Sequence, residues 1–203
     1  AFCFFYEDNF RILQEMGAEL VSFSPIYDKM LPEELDGLLL YGGYPELNGQ
    51  ALEKNSSVKE EIRQRIKAGL PCMAECGGFM YLHEEMEDMD GQIRRMAGVI
   101  PGKVYRTPRL SRFGYISLQQ KKPVLGESDL GVIPAHEFHY FDSENCGGDF
   151  YAQKPESTRG WECIHGTDTL FAGFPHLYYY GNPRIPEAFL KKCLEYKKQR
   201  HRI

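Results

Sequence analysis

The sequence has no apolar run close to the ~18 residues that a membrane-spanning helix requires, so we expect no membrane partner. It also lacks an excess of basic residues, because 24 Lys and Arg stand against 29 Asp and Glu, for a formal net charge of −5. Nucleic-acid-binding proteins concentrate positive charge, and this balance argues against such a partner. Hydrophobic residues make up 42% of the 203 residues, enough for the core of one soluble domain.

Metal and disulfide patterns are missing as well. No CxxC pair is present, and the six cysteines have no spacing typical of a zinc site or a disulfide framework. The start has no initiator Met and no charged n-region of a signal peptide. We therefore expect reduced thiols, no metal and a cytoplasmic location. Because Ala1–Tyr6 resembles the exit from a strand, we also expect residues 1–203 to be one domain of a longer protein.

Strand and helix signals alternate in the first half of the chain. Two short apolar runs are typical of strands buried on both faces of a parallel sheet. A capping-box pattern, glycine stops and apolar spacing at i and i+4 mark the helices. The predicted elements are a helix over Phe10–Met16 capped by Asp8 or Asn9 and ended by Gly17, strands at Leu20–Phe23, Leu38–Tyr41 and Leu70–Ala74, and a helix from Ser57-x-x-Glu60 to Gly69.

From about Ala97 the pattern changes to short β-prone segments separated by Gly and Pro, followed by a last helix opened by Pro186. The sequence therefore predicts an α/β fold with an open, mostly parallel sheet flanked by helices and an antiparallel extension. The predicted strands of the extension are Val99–Tyr105, Tyr115–Leu118, Phe150–Gln153, Trp161–Ile164 and Leu170–Ala172.

The segment from Met73 to Leu82 has the pattern of a nucleophile elbow. A buried strand ends, Cys76 occupies a tight turn, two glycines follow, and an apolar helix begins. The N-terminus of that helix favours a thiolate, and the Gly77 N–H is a candidate oxyanion donor. The alternative is an inert buried cysteine before a glycine turn.

A second glycine loop, Gly42–Glu46, follows another predicted central strand. Ligands bind at the carboxyl ends of strands in open α/β sheets. Gly43 is therefore the candidate for the second oxyanion donor, and Tyr44 is a candidate substrate-binding residue.

Four motifs together resemble the cobyric-acid-synthase type of class I glutamine amidotransferases, in particular the amidotransferase domain of cobyrinate a,c-diamide synthases. They are Gly-Gly-Tyr-Pro-Glu at 42–46, Ala-Glu-Cys-Gly-Gly-Phe-Met-Tyr-Leu at 74–82, Gly-Tyr at 114–115 and His-Glu-Phe-His-Tyr at 136–140. The similarity covers nearly the whole chain.

The resemblance implies a glutaminase in which Cys76 attacks the glutamine side-chain amide, releases ammonia and forms a glutamyl thioester. The ammonia would amidate a corrinoid in an N-terminal ATP-dependent synthetase domain. No GxxxxGK[ST] motif occurs here, so ATP and Mg²⁺ are expected in that other domain and no cofactor in this one.

The resemblance also places the catalytic histidine in a segment about a hundred residues after the cysteine, which maps to His176. The alternative is a surface loop histidine. Many class I enzymes have a glutamate two residues after this histidine, but Tyr178 stands there, so the third member of any triad is left open. Tyr41 stands where a third glycine is common.

The remaining candidates have less specific signals. His136, Glu137 and His139 are expected to shape the pocket or to face the synthetase domain, with a structural role as the alternative. Arg109 and then Arg112 are candidates for the glutamine α-carboxylate, because arginine binds carboxylates through two hydrogen bonds. Glu75 either meets the substrate ammonium or structures the turn.

Two other functions are compatible with these residues. A peptidase-like cysteine hydrolase also places its nucleophile on an elbow in an α/β sheet, and hydrolysis of free glutamine separates the two. An inactive scaffold or partner-binding domain of the same fold is the other possibility, suggested by Tyr41 and Tyr178. Reactivity of Cys76 toward a glutamine-like electrophile tests it.

Overall fold

Helices and strands alternate along the chain in the computed structural model, which describes residues 1–110 and 112–201. The helices are α1 (Glu7–Glu15), α2 (Gly49–Lys54), α3 (Ser56–Lys67), α4 (Gly77–Leu82) and α5 (Arg184–Arg200), with 3₁₀ turns at Pro45–Asn48 and Tyr179–Gly181. The strands are β1 (Leu38–Leu40), β2 (Cys72–Glu75), β3 (His83–Glu87), β4 (Ile93–Arg95), β5 (Ile100–Arg106), β6 (Arg112–Gln120), β7 (Ile133–His139), β8 (Phe141–Ser143), β9 (Phe150–Gln153), β10 (Gly160–Cys163), β11 (His165–Gly166), β12 (Leu170–Gly173) and β13 (His176–Leu177).

The central sheet has the strand order β1-β2-β12-β11. β1, β2 and β12 are parallel, with Cys72 opposite both Leu38 and Leu170, and β11 is antiparallel at the edge. Every residue of β2 and of β12 is buried. Continuous apolar runs are what strands covered on both faces require, and this explains why the sequence located these three strands.

An antiparallel sheet with the order β10-β9-β6-β7-β13 contains three of the five strands predicted for the extension, at Tyr115–Leu118, Phe150–Gln153 and Trp161–Ile164. The other two were assigned to the wrong sheet, because strand propensity does not show which strands pair. Leu170–Ala172 lies in β12, which is parallel to β2 in the central sheet, and Val99–Tyr105 corresponds to β5 of another sheet. A third, mixed sheet, with the order β4-β3-β5-β8, follows α4. The expected α/β class is confirmed, although the antiparallel part is larger than the sequence predicted.

Two apolar cores lie on the two faces of the central sheet. Side chains of a strand alternate between its faces, so Cys72 and Ala74 join the core beneath α3 and α4, whereas Met73 joins the core beneath α5 and the antiparallel sheet. Val58 and Ile62 of α3 are fully buried, as their spacing predicted. The central sheet is thereby packed on both faces.

Three local predictions were wrong. Leu20–Phe23 is not a strand, and Val21 is 59% exposed, because the segment runs over the surface without a neighbouring strand. The capping box does not form: the N-cap of α3 is Asn55, and the Glu60 carboxylate instead accepts hydrogen bonds from Arg63 and Gln64.

The third concerns the ends of two helices. α1 begins at Glu7, so Asp8 and Asn9 lie inside its first turn rather than capping it. α5 begins at Arg184, two residues before Pro186. Gly17 and Gly69 follow their helices with φ of 92° and 96°, as the stop signals predicted. In the part of the chain that the structure describes, no helix is long and apolar enough to span a membrane.

Candidate active site

The turn between β2 and α4 holds Cys76 in a backbone conformation that residues other than glycine rarely adopt. β2 ends at Glu75 and α4 begins at Gly77, so one residue makes the turn, with φ 45° and ψ −103°. Such strained residues collect at functional sites. The Cys76 N–H donates to the Gly173 carbonyl at 2.8 Å, and the Cys76 carbonyl accepts from the Met80 N–H at 2.9 Å. These two bonds anchor the elbow to β12 and α4.

The two glycines that open α4 let the neighbouring backbone come close. A Cβ on Gly78 would lie 2.1 Å from the Leu40 carbonyl oxygen. A Cβ on Gly77 would lie 2.9 Å from Pro45 Cδ and 3.0 Å from the backbone nitrogen of Gly43. The first turn of α4 therefore packs directly on the loop after β1. This contact brings Gly43 and Gly77 together, and two neighbouring backbone N–H groups are the usual components of an oxyanion hole.

The N-terminal segment passes over this glycine loop. The Phe4 N–H donates to the Gly42 carbonyl at 3.0 Å, and the Tyr44 N–H donates to the Ala1 carbonyl at 2.7 Å. Gly43 has φ 152°, and a Cβ there would lie 2.1 Å from the Ala1 oxygen. The segment thus fixes the shape of the loop, while the Tyr44 side chain stays 53% exposed.

Tyr41, which stands in the position of a third glycine, turns its side chain into the core. It is 7% exposed, its ring meets that of Phe10 edge-on at 5.3 Å, and its hydroxyl lies 3.4 Å from the Tyr179 hydroxyl. The bulk of the tyrosine is therefore accommodated in the core.

His176 borders the same loop. A Cβ on Gly42 would lie 2.4 Å from His176 Cε1, and the imidazole meets the Phe4 ring edge-on at 4.7 Å. His176 is 4% exposed. Burial, together with His136 and His139 nearby, lowers the pKa of His176 to about 4, so the imidazole is neutral near pH 7. A neutral imidazole is the form that accepts a proton.

The Cys76 thiol is buried, and burial favours its protonated form. Burial raises its pKa to about 12, with the carboxylates of Glu46, Glu137 and Glu75 adding to the effect. The Gly77 N–H acts in the opposite direction, but burial outweighs it. The helix N-terminus thus acts in the predicted direction through the Gly77 N–H, but burial has the larger effect on the pKa, and the sulfur needs a base to lose its proton.

The first four residues of the 136–140 motif end β7, and their side chains alternate between the two faces of the sheet. His136 lies beside the ring of Tyr115, with the centroids 5.7 Å apart. Glu137 and His139 point inward: His139 Nε2 lies 3.8 Å from Glu137 Oε2, and its ring stacks on Phe174 at 4.0 Å. Within residues 1–110 and 112–201, neither carboxylate oxygen of Glu137 has a hydrogen-bond partner.

Arg109 lies in the connection between β5 and β6, and Arg112 is the first residue of β6 in the antiparallel sheet. Arg109 is exposed. Arg112 extends over the Trp161 ring at 5.2 Å and reaches within 3.9 Å of the Asp142 carboxylate. They line a depression of about 500 Å³ that is otherwise bordered by Leu110, Phe113, Lys154, Arg159 and Trp161. Their described contacts are with this cluster rather than with the loop around Gly43.

Among the described residues, no group of three or more His, Cys, Asp or Glu side chains is arranged to hold a metal ion. The described cysteines are all free.

Residues 1–179 match the model of a family described as the CobB/CobQ-like glutamine amidotransferase domain. The chain belongs to this family. A cobyrinate a,c-diamide synthase from Fusobacterium nucleatum is 39% identical over 93% of the chain and 42% of the relative. One from Picrophilus torridus is 38% identical over 95% and 42%. One from Caldanaerobacter subterraneus is 35% identical over 95% and 43%.

The amidotransferase domain thus spans about two-fifths of the length of these curated relatives. Two solved structures share its fold. A glutamine amidotransferase aligns with a TM-score of 0.62 at 18% identity, covering 92% of both chains. A GMP synthase component from Thermoplasma acidophilum aligns with a TM-score of 0.58 at 19% identity, covering 96% of this chain and 91% of that one.

Sequence reasoning missed the part that Asn9 plays in this domain. Asn9 is fully buried. Its side-chain amide donates to the Leu177 carbonyl at 2.8 Å and accepts from the Tyr179 N–H at 2.9 Å. These bonds fix the residues that follow His176. The only signal in the sequence was a polar residue at the start of an amphipathic helix, which equally suits a cap.

Proposed function

We propose that this domain hydrolyses glutamine to glutamate and ammonia, with Cys76 as the nucleophile and His176 as the base. The observation that carries the proposal is the shared loop. Gly43 contacts the first turn after Cys76, and Gly42 contacts the His176 ring. These two contacts support a site in which the nucleophile, the base and two backbone donors border one loop, as acyl transfer through a covalent intermediate requires.

In the first step the Cys76 thiol gives its proton to the His176 imidazole, and the sulfur forms a bond to the amide carbon of glutamine. The charge on the amide oxygen is stabilised by the N–H groups of Gly43 and Gly77. The carbon–nitrogen bond then breaks, the leaving nitrogen takes the proton from His176, and ammonia departs. Water, deprotonated by the same imidazole, hydrolyses the thioester and restores the thiol.

Glutamine must be oriented for this reaction. We propose Arg109 and Arg112 as candidates for its α-carboxylate, and Tyr44, which is half exposed on the glycine loop, as a further contact. The product distinguishes this reaction from peptide hydrolysis: the primary amide of glutamine releases ammonia, whereas a peptide bond releases an amine.

The names and lengths of the relatives support a proposal for the whole protein. We propose that ammonia passes to an N-terminal synthetase half, which binds ATP, Mg²⁺ and a corrinoid. That half would form amides on the a and c acetate side chains of the corrinoid, and we propose a cytoplasmic location for the enzyme. His136, Glu137 and His139 would then shape the pocket or face that half. Phe113, Tyr115 and Phe138, all at least 48% exposed, surround His136 on the same sheet and suit such a contact.

The test uses the complete enzyme and measures glutamate release, with Cys76→Ala compared with Cys3→Ser. Cys3 is exposed and free, so its replacement controls for loss of a thiol. We expect Cys76→Ala to lower glutaminase activity by ~10³-fold or more, whereas ammonium chloride still supports ATP-dependent amidation.

Three outcomes would contradict the proposal. Wild-type glutamine hydrolysis by Cys76→Ala would remove Cys76 from the mechanism. Peptide hydrolysis without glutamine hydrolysis would favour a peptidase-like enzyme. If the complete enzyme released no glutamate and Cys76 did not react with a glutamine-like electrophile, the domain would be an inactive scaffold.

A further inference from the structure

A buried carboxylate lies beside the proposed base. The Nδ1 atom of His176 is 3.8 Å from Oε2 of Glu75, and the two side chains are 5% and 3% exposed. Glu75 is the last residue of β2, whereas His176 begins β13, and Gly173 of β12 lies opposite Glu75 in the central sheet. The pairing of β2 with β12 thus brings together two side chains that are 101 positions apart in the sequence.

The carboxylate of Glu75 has few hydrogen bonds for a buried group. Oε2 accepts one bond, from the Leu177 N–H at 3.4 Å, and Oε1 has no partner among the described residues. Burial raises the pKa of Glu75 to about 8. Because a buried carboxylate is costly without donors, an N–H group on the adjacent imidazole would satisfy Glu75 as well as orient the ring.

The position that carries a glutamate in many class I enzymes does not serve this purpose here. Tyr178 is 43% exposed, and its hydroxyl donates to the Asp8 carboxylate at 3.3 Å. Its side chain is therefore engaged with α1 at the surface. The carboxylate nearest to the imidazole among the described ion pairs comes from the residue before the nucleophile instead.

We propose that Glu75 is the positioning carboxylate of His176: it accepts the Nδ1–H of the imidazole and so leaves Nε2 free to take the proton of Cys76. This inference rests on the proposed glutaminase reaction. When His176 receives the proton from the Cys76 sulfur, the resulting imidazolium lies beside the Glu75 carboxylate, and the attraction stabilises it. Glu75 touches neither substrate nor sulfur in this role.

The proposal makes the protonation state of Glu75 matter. A protonated Glu75 would donate to Nδ1 and leave the proton of the neutral ring on Nε2, the wrong tautomer for a base. Activity should therefore rise as Glu75 ionises. The titratable groups around the pair are Cys76 on the turn, Tyr6, Tyr41 and Tyr179 near the carboxylate, and His136 and His139 near the ring.

The test compares Glu75→Gln and Glu75→Asp with Tyr178→Phe in the complete enzyme. We expect Glu75→Gln to lower kcat for glutamine hydrolysis by ~10²–10³-fold, the range for removing an orienting group, with KM within about threefold. Glu75→Asp should restore part of kcat, because it keeps the charge. Tyr178→Phe should retain kcat within about twofold.

If the role of Glu75 were purely structural, its replacement would not alter the pH dependence of kcat/KM. In the wild type we expect kcat/KM to rise through an ionisation near pH 8, and in Glu75→Gln this rise should be absent. If Glu75→Gln does not fold, Glu75→Asp carries the test, since it should shift the midpoint of the rise. If Glu75→Gln kept the wild-type kcat and pH profile while Cys76→Ala was inactive, the role proposed for Glu75 would be wrong and the proposed function would stand. An active Cys76→Ala enzyme would instead overturn the proposed function.

Discussion

His176 and His136 lie directly opposite each other in the antiparallel pair of β13 and β7, with their ring centroids 6.4 Å apart. The register places the proposed base in contact with the 136–140 motif, which the sequence connected to it only through family resemblance. The neighbouring imidazole contributes to keeping His176 neutral. The strand pairing therefore places one residue of the motif beside the proposed base.

Replacing the two inward-facing histidines should separate catalysis from packing. His176→Asn should lower glutaminase kcat/KM by ~10³-fold, because no other group takes the thiol proton. His139 stacks on Phe174, and its Nδ1 lies 2.6 Å from the Phe141 carbonyl oxygen, so His139→Asn should cost about 1–3 kcal/mol of unfolding free energy and at most about tenfold in kcat/KM. Urea unfolding and steady-state kinetics give the two readouts. The reverse order of activity loss would show that His139 is the base.

The alkylation rate of Cys76 should depend steeply on pH. Because burial raises the pKa of Cys76 to about 12, the reactive thiolate increases about tenfold for each pH unit below that value. We therefore expect the iodoacetamide rate at Cys76 in the domain alone to keep rising from pH 7 to pH 10. The measurement is mass spectrometry of the labelled peptide in a Cys3→Ser background, which removes the exposed thiol. A rate that levels off between pH 6 and 8 would indicate a preformed thiolate.

Gly78 and Gly69 provide a matched pair for the close approach at the elbow. Gly78 lies in the first turn of α4 and Gly69 follows the end of α3. A Cβ on Gly78 would be 2.1 Å from the Leu40 oxygen, whereas nothing lies within 4 Å of a Cβ on Gly69. Gly78→Ala should lower the unfolding free energy by about 3 kcal/mol or prevent folding, since backbone must move. Gly69→Ala, strained only through φ 96°, should cost about 1 kcal/mol. Chemical denaturation of both variants measures the difference, and equal losses would contradict the close contact.

The parts of the fold that could be predicted have strong local signals. β1, β2 and β12 are mostly apolar and, apart from the half-buried Leu39, fully buried. The elbow combines a buried strand, a cysteine and two glycines within a few residues. β3 was missed because its residues are mostly charged and two of its five side chains are exposed. The strand expected at Leu20–Phe23 was wrong because local β propensity forms no strand without a neighbour to pair with.

The candidate site divides in the same way. Cys76, Gly43 and Gly77 follow from motifs, each within one short segment. Glu75 was noted beside the nucleophile, but its distance to His176 depends on how β2, β12 and β13 are arranged. Asn9 is similar: its two hydrogen bonds reach residues 168 and 170 positions away, and no local pattern encodes them.

The sequence by itself determined the fold class, the position of the elbow and the family, because hydrophobic periodicity, glycine requirements and short motifs are local properties of the chain. Only the tertiary structure decided the raised pKa of Cys76, the burial of His176 and the position of the Glu75 side chain beside it. Those properties arise from burial and from contacts between residues far apart in the chain. The strand order that brings Glu75 to His176 also shields both side chains from water. This burial raises the pKa of Glu75 and lowers the pKa of His176, so each group favours its neutral form.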